Sequence, residues 1–242
     1  MHRFFIEQKL QKGERVIKNE PLASRFSRVL RIRSEEIIVF FNGDGFDYVA
    51  RVISISKNEV RAEILEQKKN ERELNAMIVV CQGVVRKERM EWAFEKGTEV
   101  GVSEFMPITT ERSITKNLNS ARIVKIITEA TEQSGRAILP RYLGVVSFFD
   151  AIAQCAREGG FGILFDISHA SEVSFTELSA LVRLHHMKKI YIFIGPEGGF
   201  SKNEIQRAEE MGIKIVHLYP TILRSETAAV VFPALIASCV FK

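Results

Sequence analysis

A glycine-rich loop follows a short apolar run late in the chain, where the sequence reads YIFIGPEGGFSKNEI. Gly195, Gly198 and Gly199 have neither the glycine spacing of a dinucleotide-binding loop nor the lysine that closes a P-loop. Because glycines leave backbone N–H and C=O groups accessible, the loop can hold a flat, uncharged group such as a base edge. A well-capped turn between a strand and a helix is the alternative interpretation, since Ser201 and Glu204 form a capping-box pattern.

A second polar segment, HLYPTILRSETAA, follows the next apolar run and contains Arg224 and Glu226. The guanidinium of Arg224 can donate hydrogen bonds to oxygen atoms that gain negative charge, and the carboxylate of Glu226 can accept a proton. The two side chains can equally pair with each other and only shape the loop. The segment therefore supplies Arg224 as a candidate catalytic donor and Glu226 as a candidate base.

Alternating strands and helices over residues 73–242 indicate how both segments are positioned. Such alternation predicts a parallel sheet covered by helices, and ligands bind beyond the carboxyl ends of the strands of such sheets. The two polar segments are therefore expected at one edge of the sheet. The predicted strands are Met77–Gln82, 102–110, Phe161–Ile167, Tyr191–Ile194 and Lys214–Pro220, and the predicted helices are Lys87–Gly97, Leu118–Ser134, Phe148–Glu158, Phe175–Arg183, Ser201–Met211 and Glu226–Phe241.

Residues 1–72 are predicted to form a separate small β-barrel. Apolar strands at Ile37–Phe41, Tyr48–Ile55 and Val60–Leu65 are parted by polar turns, including the hairpin signal Asn-Gly-Asp-Gly. The polar stretch Glu66–Asn75 predicts a linker to the domain of residues 73–242.

Positive charge is concentrated in the first of these domains. Residues 1–72 contain 15 Lys and Arg against 11 Asp and Glu, whereas residues 73–242 contain 19 of each. Much of the excess is arginine, whose planar guanidinium suits phosphate. This asymmetry favours a polyanionic partner, with an ordinary solvated surface as the alternative.

Composition excludes several classes of protein. Apolar residues make up 46% of the chain and charged residues 26%, and no apolar run has the length of a membrane span. The beginning MHRFFIEQKL lacks the apolar stretch of a secretory signal, and neither the three cysteines nor the five histidines show metal-ligand spacing. We therefore expect a cytoplasmic protein without a membrane or a metal among its partners.

The last predicted helix is apolar around its whole circumference over Ala228–Phe241. Such a helix must be buried on several sides, and chain-terminal elements usually lie at the surface. The pattern favours contact with a second copy of the chain, and burial in the core is the alternative.

The two late segments, IGPEGGFSKNEI and LYPTILRSETAA, together resemble the bacterial small-subunit (16S) rRNA uridine N3-methyltransferases, the RsmE family of the SPOUT class. The resemblance extends through MHRFF, RVLRIR, FNGDGFDYVARV, residues 86–113 and EQSGR. It implies an α/β fold with a SPOUT-type parallel sheet and a C-terminal trefoil knot, preceded by a PUA-like β-barrel. Tyr219 and Thr221 depart from the family's usual Gly and Arg, and Pro233 interrupts the last predicted helix.

The resemblance also implies S-adenosyl-L-methionine as methyl donor, N3 of a uridine in the 16S rRNA of the small ribosomal subunit as acceptor, and a homodimer. Arg224 and Glu226 would then act on the uracil. The residues expected at the cofactor are Gly195, Glu197, Gly198, Gly199, Leu218, Leu223, Thr227 and Ala228. The residues expected at RNA are Arg3, Arg28, Arg31, Arg33, Arg112 and Arg136.

Three other functions are open at this point. An enzyme of the same class can act on tRNA or large-subunit rRNA, and a non-catalytic RNA-binding protein would use the α/β domain only as a scaffold. A metal-free nucleotide hydrolase is disfavoured because the chain has neither a P-loop lysine nor an acidic cluster.

Overall fold

The computed structural model describes residues 1–113, 118–167, 171–172, 174–184, 188–218 and 220–240. The chain divides into two compact units, Met1–Glu73 with Thr131–Leu139 and Leu74–Ala130 with Pro140–Lys242. The sequence-based division after residue 72 assigned Thr131–Leu139 to the second domain, whereas its contacts lie with the first unit. Periodicity within a segment cannot show this, because the assignment depends on contacts distant in sequence.

The N-terminal unit contains a sheet of five strands in the order β1-β3-β4-β5-β2 within residues 1–73, all of which the structure describes. The side chains of Phe4, Phe26 and Phe40 lie in its core. Strands β3, β4 and β5 form the antiparallel meander that the sequence predicts. The elements are β1 Arg3–Phe5, β2 Gly13–Lys18, α1 Glu20–Ser24, a π-helical segment Arg25–Leu30, β3 Ile37–Phe41, β4 Phe46–Ile55 and β5 Glu59–Lys69.

The predicted linker begins as part of this sheet. Strand β5 continues to Lys69, and its last residues pair with the beginning of β4, where Phe46 is opposite Lys69. The prediction of a linker from Glu66 was therefore wrong over four residues. The polar composition misled it, since one face of a surface strand needs no apolar side chains.

The C-terminal unit is the predicted parallel α/β fold. Its described residues include a seven-stranded parallel sheet in the order β12-β14-β11-β13-β6-β7-β9 and a separate β8–β10 pair. The strands are β6 Met77–Gln82, β7 Glu104–Phe105, β8 Ile108–Thr109, β9 Arg141–Tyr142, β10 Val146–Ser147, β11 Phe161–Phe165, β12 Ser171–Glu172, β13 Lys189–Ile194 and β14 Lys214–His217. The helices are α2 Lys87–Glu99, α3 Ser120–Ser134, α4 Phe148–Arg157, α5 Phe175–Leu184, α6 Lys202–Glu210 and α7 Ser225–Val240.

The central strands β11 and β13 are buried almost throughout, as expected for a sheet with helices on both faces. The single predicted strand at residues 102–110 is instead two short strands, β7 and β8, separated by Met106 and Pro107. Proline has no N–H to donate to a ladder, which accounts for the break. Pro233 does not interrupt α7, which continues from Ser225 to Val240.

Helix α7 packs against α2 and α5, and it also contacts β6 and β13. The unit therefore buries α7 partly against its own sheet and helices, which is the core role that the sequence left open for this segment.

No helix among the described residues is both long enough and apolar enough to cross a membrane.

Candidate functional site

A cavity of about 420 Å³ lies at the carboxyl ends of β11, β13 and β14. This volume lies within the range of small-molecule sites. The cavity is formed by three segments of the C-terminal unit: Phe165–Ile167 after β11, Ile194–Phe200 after β13, and the residues from β14 to the first turns of α7. The two polar segments singled out in the sequence therefore do meet at one edge of the sheet.

The cavity includes most of the residues that were predicted to contact a cofactor. Its wall contains Gly195, Glu197, Gly198, Gly199, Leu218, Leu223 and Ala228, together with Arg224 and Thr221. The departure at Tyr219 lies outside the described residues.

The glycine-rich loop turns so tightly that Gly195 approaches Gly199 backbone to backbone. A Cβ atom on Gly195 would lie 3.0 Å from the Cα of Gly199, and Gly199 itself has φ of +67°. The amide of Gly199 donates a hydrogen bond to the carbonyl of Pro196 over 2.9 Å. The glycines are thus explained by the turn itself, and the turn exposes backbone atoms to the cavity.

The capping box that the sequence predicts at the start of α6 is confirmed. The hydroxyl of Ser201 accepts a hydrogen bond from the amide of Glu204, and the carboxylate of Glu204 accepts one from the amide of Ser201. That carboxylate is 1% exposed and also accepts a hydrogen bond from the amide of Glu111 over 2.9 Å. The helix start that follows the glycine loop is therefore anchored to a neighbouring segment.

Gly83, which follows β6, is a site residue that the sequence analysis missed. A Cβ atom at this position would lie 2.5 Å from both the Cδ and the backbone nitrogen of Pro196. The amide of Gly83 also donates to the carbonyl of Ile194 over 2.7 Å. The first residues of the glycine loop therefore rest directly on the backbone of Gly83, and the signal in the sequence was a glycine directly after a buried strand.

The first turn of α7 is joined to the glycine loop by Ser225. Its hydroxyl donates a hydrogen bond to the carbonyl of Gly195 over 2.7 Å and accepts one from the side-chain Nε2 of Gln82 over 3.2 Å. Further along the helix, the ring of Phe232 stacks on that of Phe165, with ring centroids 3.7 Å apart. These contacts fix one side of the helix against the cavity.

Helical spacing decides which residues of α7 reach the cavity. Ser225, Ala228 and Phe232 line it, at the i, i+3 and i+7 positions of one helix face. Glu226 and Thr227 lie between these positions and are outside the cavity lining, and the assignment of Thr227 to the cofactor stays a prediction.

Arg224 and Glu226 differ in their surroundings and do not form the ion pair that the sequence left open. Arg224 is exposed at the cavity wall, and no described residue forms an ion pair or a hydrogen bond with its guanidinium. Glu226 instead forms an ion pair with Arg89, on the first turn of α2, over 3.5 Å. The position of Glu226 therefore argues against its assignment as the base, and Arg224 retains its candidate role.

Arg89 is a second site residue that the sequence analysis missed. Its Nη1 atom lies 2.8 Å from Oε1 of Glu197, in the glycine loop, and its Nε atom faces Glu226 on α7. One guanidinium thus connects α2 with both segments that build the cavity.

The predicted RNA-binding arginines fall into three groups. Arg28, Arg31 and Arg33 are exposed in and just after the π-helical segment of the N-terminal unit. The neighbouring side chain of Val29 is 71% exposed. These three guanidiniums are available to phosphate groups.

Arg3 and Arg136 are buried in ion pairs, which contradicts their assignment to RNA. Arg3 binds both carboxylate oxygens of Asp47 over 2.8 Å, and its side chain is 11% exposed. Arg136 binds Glu73 over 2.8 Å, and its side chain is 6% exposed. Both guanidiniums are held inside the N-terminal unit by these ion pairs, so that removing either carboxylate would be destabilising.

Arg112 is exposed in the C-terminal unit and contacts the glycine loop. Its Nη1 atom donates a hydrogen bond to the carbonyl of Gly198 over 2.6 Å, and its side chain covers the Cα of that glycine. This contact supports the loop and leaves the other donors of the guanidinium exposed. Among the described residues, no group of three or more His, Cys, Asp or Glu is placed to hold a metal ion.

Comparison with known proteins gives the same picture for both units. The model of the RNA methyltransferase domain family matches residues 72–237, and that of the RNA methyltransferase PUA domain matches residues 28–65. The chain is 30% identical to ribosomal RNA small subunit methyltransferase E of Bacillus subtilis, over 94% of this chain and 93% of that protein. The corresponding protein of Aquifex aeolicus is 31% identical over 95% of this chain and 96% of its own length.

A solved structure shares the fold over nearly the whole chain. The Neisseria gonorrhoeae ribosomal RNA small subunit methyltransferase E, crystallised with S-adenosyl methionine, superimposes with a TM-score of 0.88 at 30% identity, covering 98% of this chain and 97% of that one. The α/β fold with a parallel sheet and a PUA domain is thereby confirmed, and the trefoil knot stays a prediction. On the strength of the domain match and these full-length relatives, the chain belongs to the ribosomal RNA small subunit methyltransferase E family.

Proposed function

We propose that the protein transfers the methyl group of S-adenosyl-L-methionine to N3 of a uridine in 16S rRNA. The observation that carries the proposal is the cavity of about 420 Å³ where the glycine loop meets the first turn of α7. Its position, beyond the carboxyl ends of parallel strands, is where such folds bind their ligands. Family membership supports ribosomal RNA as the substrate class, and the Neisseria gonorrhoeae relative supports the methyl donor.

The lining of the cavity fits this methyl donor. Apolar side chains such as Leu218, Leu223 and Ala228 offer a surface for a flat base, and the tight loop offers backbone groups at Gly195 and Gly198. Bound S-adenosyl-L-methionine supplies a methyl group activated by its positive sulfur. The protein has to hold this group in line with the attacking nitrogen, and such positioning supplies a large part of many rate enhancements.

Arg224 is the residue that we assign to the uracil. N3 of uracil carries a proton and becomes a good nucleophile only as that proton leaves, which places negative charge on the two ring oxygens. An exposed arginine at the cavity wall, with no other partner among the described residues, can donate hydrogen bonds to these oxygens. Arg224 would thereby stabilise the charge that develops during transfer.

The exposed arginines of the N-terminal unit are proposed to bind the RNA backbone. Arg28, Arg31 and Arg33 project from one short segment, which suits contacts that position RNA without reading its sequence. Arg112 is a further candidate, because part of its guanidinium is not used by Gly198. A plot of the logarithm of the RNA-binding constant against the logarithm of the salt concentration has a negative slope. Replacing the first three arginines with alanine should make this slope shallower by roughly 0.7 to 0.9 per lost phosphate contact.

We propose that the protein functions as a homodimer through α7. One side of the helix carries partly exposed apolar residues, among them Val231 and Leu235. Burying such a side against a second copy removes apolar surface from water. Sedimentation at micromolar concentration should therefore give twice the mass of the chain, and a monomer would contradict the proposal.

The function is tested by combining cofactor binding with analysis of the product. Titration calorimetry should detect S-adenosyl-L-methionine binding, and 16S rRNA incubated with the protein should yield 3-methyluridine after digestion to nucleosides. Methylation of a ribose, or of tRNA alone, would contradict the assignment of the acceptor. No binding of the methyl donor would contradict enzymatic activity and leave a non-catalytic RNA-binding protein.

A further inference from the structure

We propose that Arg89 is a positioning residue for the methyl-donor site. It holds the glycine loop, through Glu197, and the first turn of α7, through Glu226, in the arrangement that binds the ligand. The inference rests on the proposed function, because its effect is read from S-adenosyl-L-methionine binding. Arg89 itself is outside the cavity lining, so the role is exerted through the two segments that it connects.

The geometry places one guanidinium between two carboxylates on different elements. Nη1 of Arg89 lies 2.8 Å from Glu197, and Nε lies 3.5 Å from Glu226. The three side chains become less accessible toward α7, with exposed fractions of 38% for Glu197, 32% for Arg89 and 12% for Glu226. The network therefore begins at the surface of the loop and ends in a largely buried carboxylate.

Glu226 makes the network more consequential than an ordinary surface pair. Its Oε2 atom is buried and has no hydrogen-bond partner among the described residues. Arg89 is the cation that compensates this carboxylate, although the N-terminus of α7 adds some favourable field. Removing Arg89 would leave a largely buried charge with no ion-pair partner among the described residues, which is far more unfavourable than losing an exposed pair.

Movement of the unpaired Glu226 carboxylate toward water would disturb the cavity, because residues on either side of Glu226 contribute to the cavity wall. Ser225, directly before it, donates to the carbonyl of Gly195, and Ala228 lies two residues further along in the cavity wall. If the first turn of α7 moves to bring Glu226 toward water, the link to Gly195 is strained. The same substitution also frees Glu197, in a loop whose glycines allow many conformations.

A loop and a helix end that lose this connection are held less firmly, although the contacts of Ser225 and Arg112 remain, and the binding-competent arrangement becomes less populated. The apparent dissociation constant rises in inverse proportion to that population. Once the ligand is bound, the geometry at the reacting atoms is restored, so turnover at saturating ligand should change little. The expected signature is therefore a raised Kd and KM for the methyl donor with a nearly constant kcat.

The first experiment compares Arg89→Met with the matched variant Arg122→Met. Arg122 forms an ion pair with Glu91 of the same helix α2 over 3.2 Å, away from the cavity lining. Calorimetry should show that Arg89→Met weakens S-adenosyl-L-methionine binding by about fivefold to tenfold, while Arg122→Met stays within about twofold of the wild type. Urea unfolding of both variants separates a general loss of stability from a specific loss of affinity.

The second experiment uses rescue. Adding Glu226→Gln to Arg89→Met removes the uncompensated charge, and the double variant should regain part of the lost affinity. Arg89→Lys should bind the methyl donor more tightly than Arg89→Met but more weakly than the wild type, because one ammonium cannot reach two carboxylates in the way that a guanidinium does.

The outcomes separate the two proposals. Equal affinity of the wild type and Arg89→Met would overturn the positioning role while leaving the proposed function intact. So would an equal loss in Arg89→Met and Arg122→Met that follows their stability, or a double variant that binds more weakly than Arg89→Met alone. A wild type that does not bind S-adenosyl-L-methionine would overturn the proposed function and, with it, the positioning role.

Discussion

The amino ends of the parallel strands form one edge of the sheet, the amino edge, and their carboxyl ends form the opposite one, the carboxyl edge. Both edges contain charged residues, but these residues have different partners. At the amino edge, Lys189 begins β13 and lies 2.7 Å from both Glu104 and Glu158. The hydroxyl of Tyr191 also donates to Glu158 over 2.7 Å, and Glu104 is 1% exposed. At the carboxyl edge, Arg224 is exposed at a cavity wall with no partner among the described residues.

The pKa values at the amino edge agree with a closed network. Hydrogen bonds from Lys189 and then Tyr191 lower the pKa of Glu158 from 4.5 to about 2. Burial alone would lower the pKa of Lys189, but its contacts with Glu104 and Glu158 outweigh this, and the net shift is upward. Burial, followed by the hydrogen bond to Glu158, raises the pKa of Tyr191. These groups satisfy one another and leave no charge for a ligand.

The difference shows that the amino ends of the strands in this unit contribute to the stability of the fold, whereas the carboxyl ends form the candidate ligand site. Side chains at the amino ends neutralise each other inside the fold, whereas the carboxyl ends carry glycines, a cavity and Arg224, a cation with no ion-pair partner in the part of the chain that the structure describes. Substitutions at the two edges should therefore separate stability from ligand binding and turnover.

The largest effect is expected for Arg224→Ala, the substitution that removes the exposed cation of the carboxyl edge. Loss of a donor to the developing charge should lower kcat by about 100-fold at saturating methyl donor. The measurement is transfer of labelled methyl groups to 16S rRNA, with calorimetry showing that the methyl donor still binds.

Arg224→Lys is the matched variant, since it keeps the charge but loses the planar pair of donors. Its kcat should lie between those of the wild type and Arg224→Ala. Turnover of Arg224→Ala close to that of the wild type would remove Arg224 from catalysis. The functional contrast between the edges would then rest on the cavity alone.

Lys189→Met tests the amino edge and should lower the free energy of unfolding by about 2 kcal/mol. It leaves Glu104 buried with only Arg141, which is 71% exposed, as a compensating cation among the described residues. Urea unfolding measures the loss, and affinity for the methyl donor should not change. Lys214→Met is the control, because Lys214 begins strand β14 of the same sheet, is exposed, and should alter stability by less than about 0.5 kcal/mol.

Gly83→Ala and Gly160→Ala place the same methyl group at opposite edges. In Gly83→Ala the methyl group meets the backbone of Pro196, so the glycine loop must shift, and binding of the methyl donor should weaken by about tenfold. In Gly160→Ala it meets the ring of Tyr191, so stability should fall while affinity stays near that of the wild type. Equal affinity of the two variants would show that the loop adapts to crowding.

These residues also show how far the sequence could predict the site. The capping box at Ser201 and the place of Arg224 at the candidate site could be predicted from the sequence, because each depends on a local pattern or on recognisable motifs. The contacts of Arg3, Arg136 and Arg89 were not, because they join residues 44, 63 and 108 positions apart. An arginine in a basic segment looks the same in a sequence whether it faces phosphate or a buried carboxylate.

The same limit applies to the fold. Strand β6 was predicted with its observed bounds, since a run of apolar β-branched residues identifies a buried strand. The assignment of Thr131–Leu139 to the N-terminal unit depends on tertiary contacts such as the hydrogen bond from Asn70 to the carbonyl of Gly135. Local periodicity contains no information on that pairing.

The smallest effect is expected from Glu158→Gln, and it depends on pH. A carboxyl group whose pKa is lowered by folding contributes stability that is complete above its unfolded value near 4.5 and is lost as pH falls toward about 2. Since the side chain is 34% exposed, solvent screens the network, and the variant should be less stable than the wild type by no more than about 1 kcal/mol at neutral pH.

Urea unfolding of both proteins over a pH series provides the measurement. The gap in unfolding free energy should be constant above pH 5 and narrow steadily as the medium is acidified below pH 4.5, because glutamine cannot lose the proton-linked contribution that glutamate loses. A gap that stayed the same down to pH 3 would mean that Glu158 is not held ionised by Lys189 and Tyr191. The amino edge would then be less completely paired than its distances indicate, and the contrast with Arg224 at the other edge would weaken.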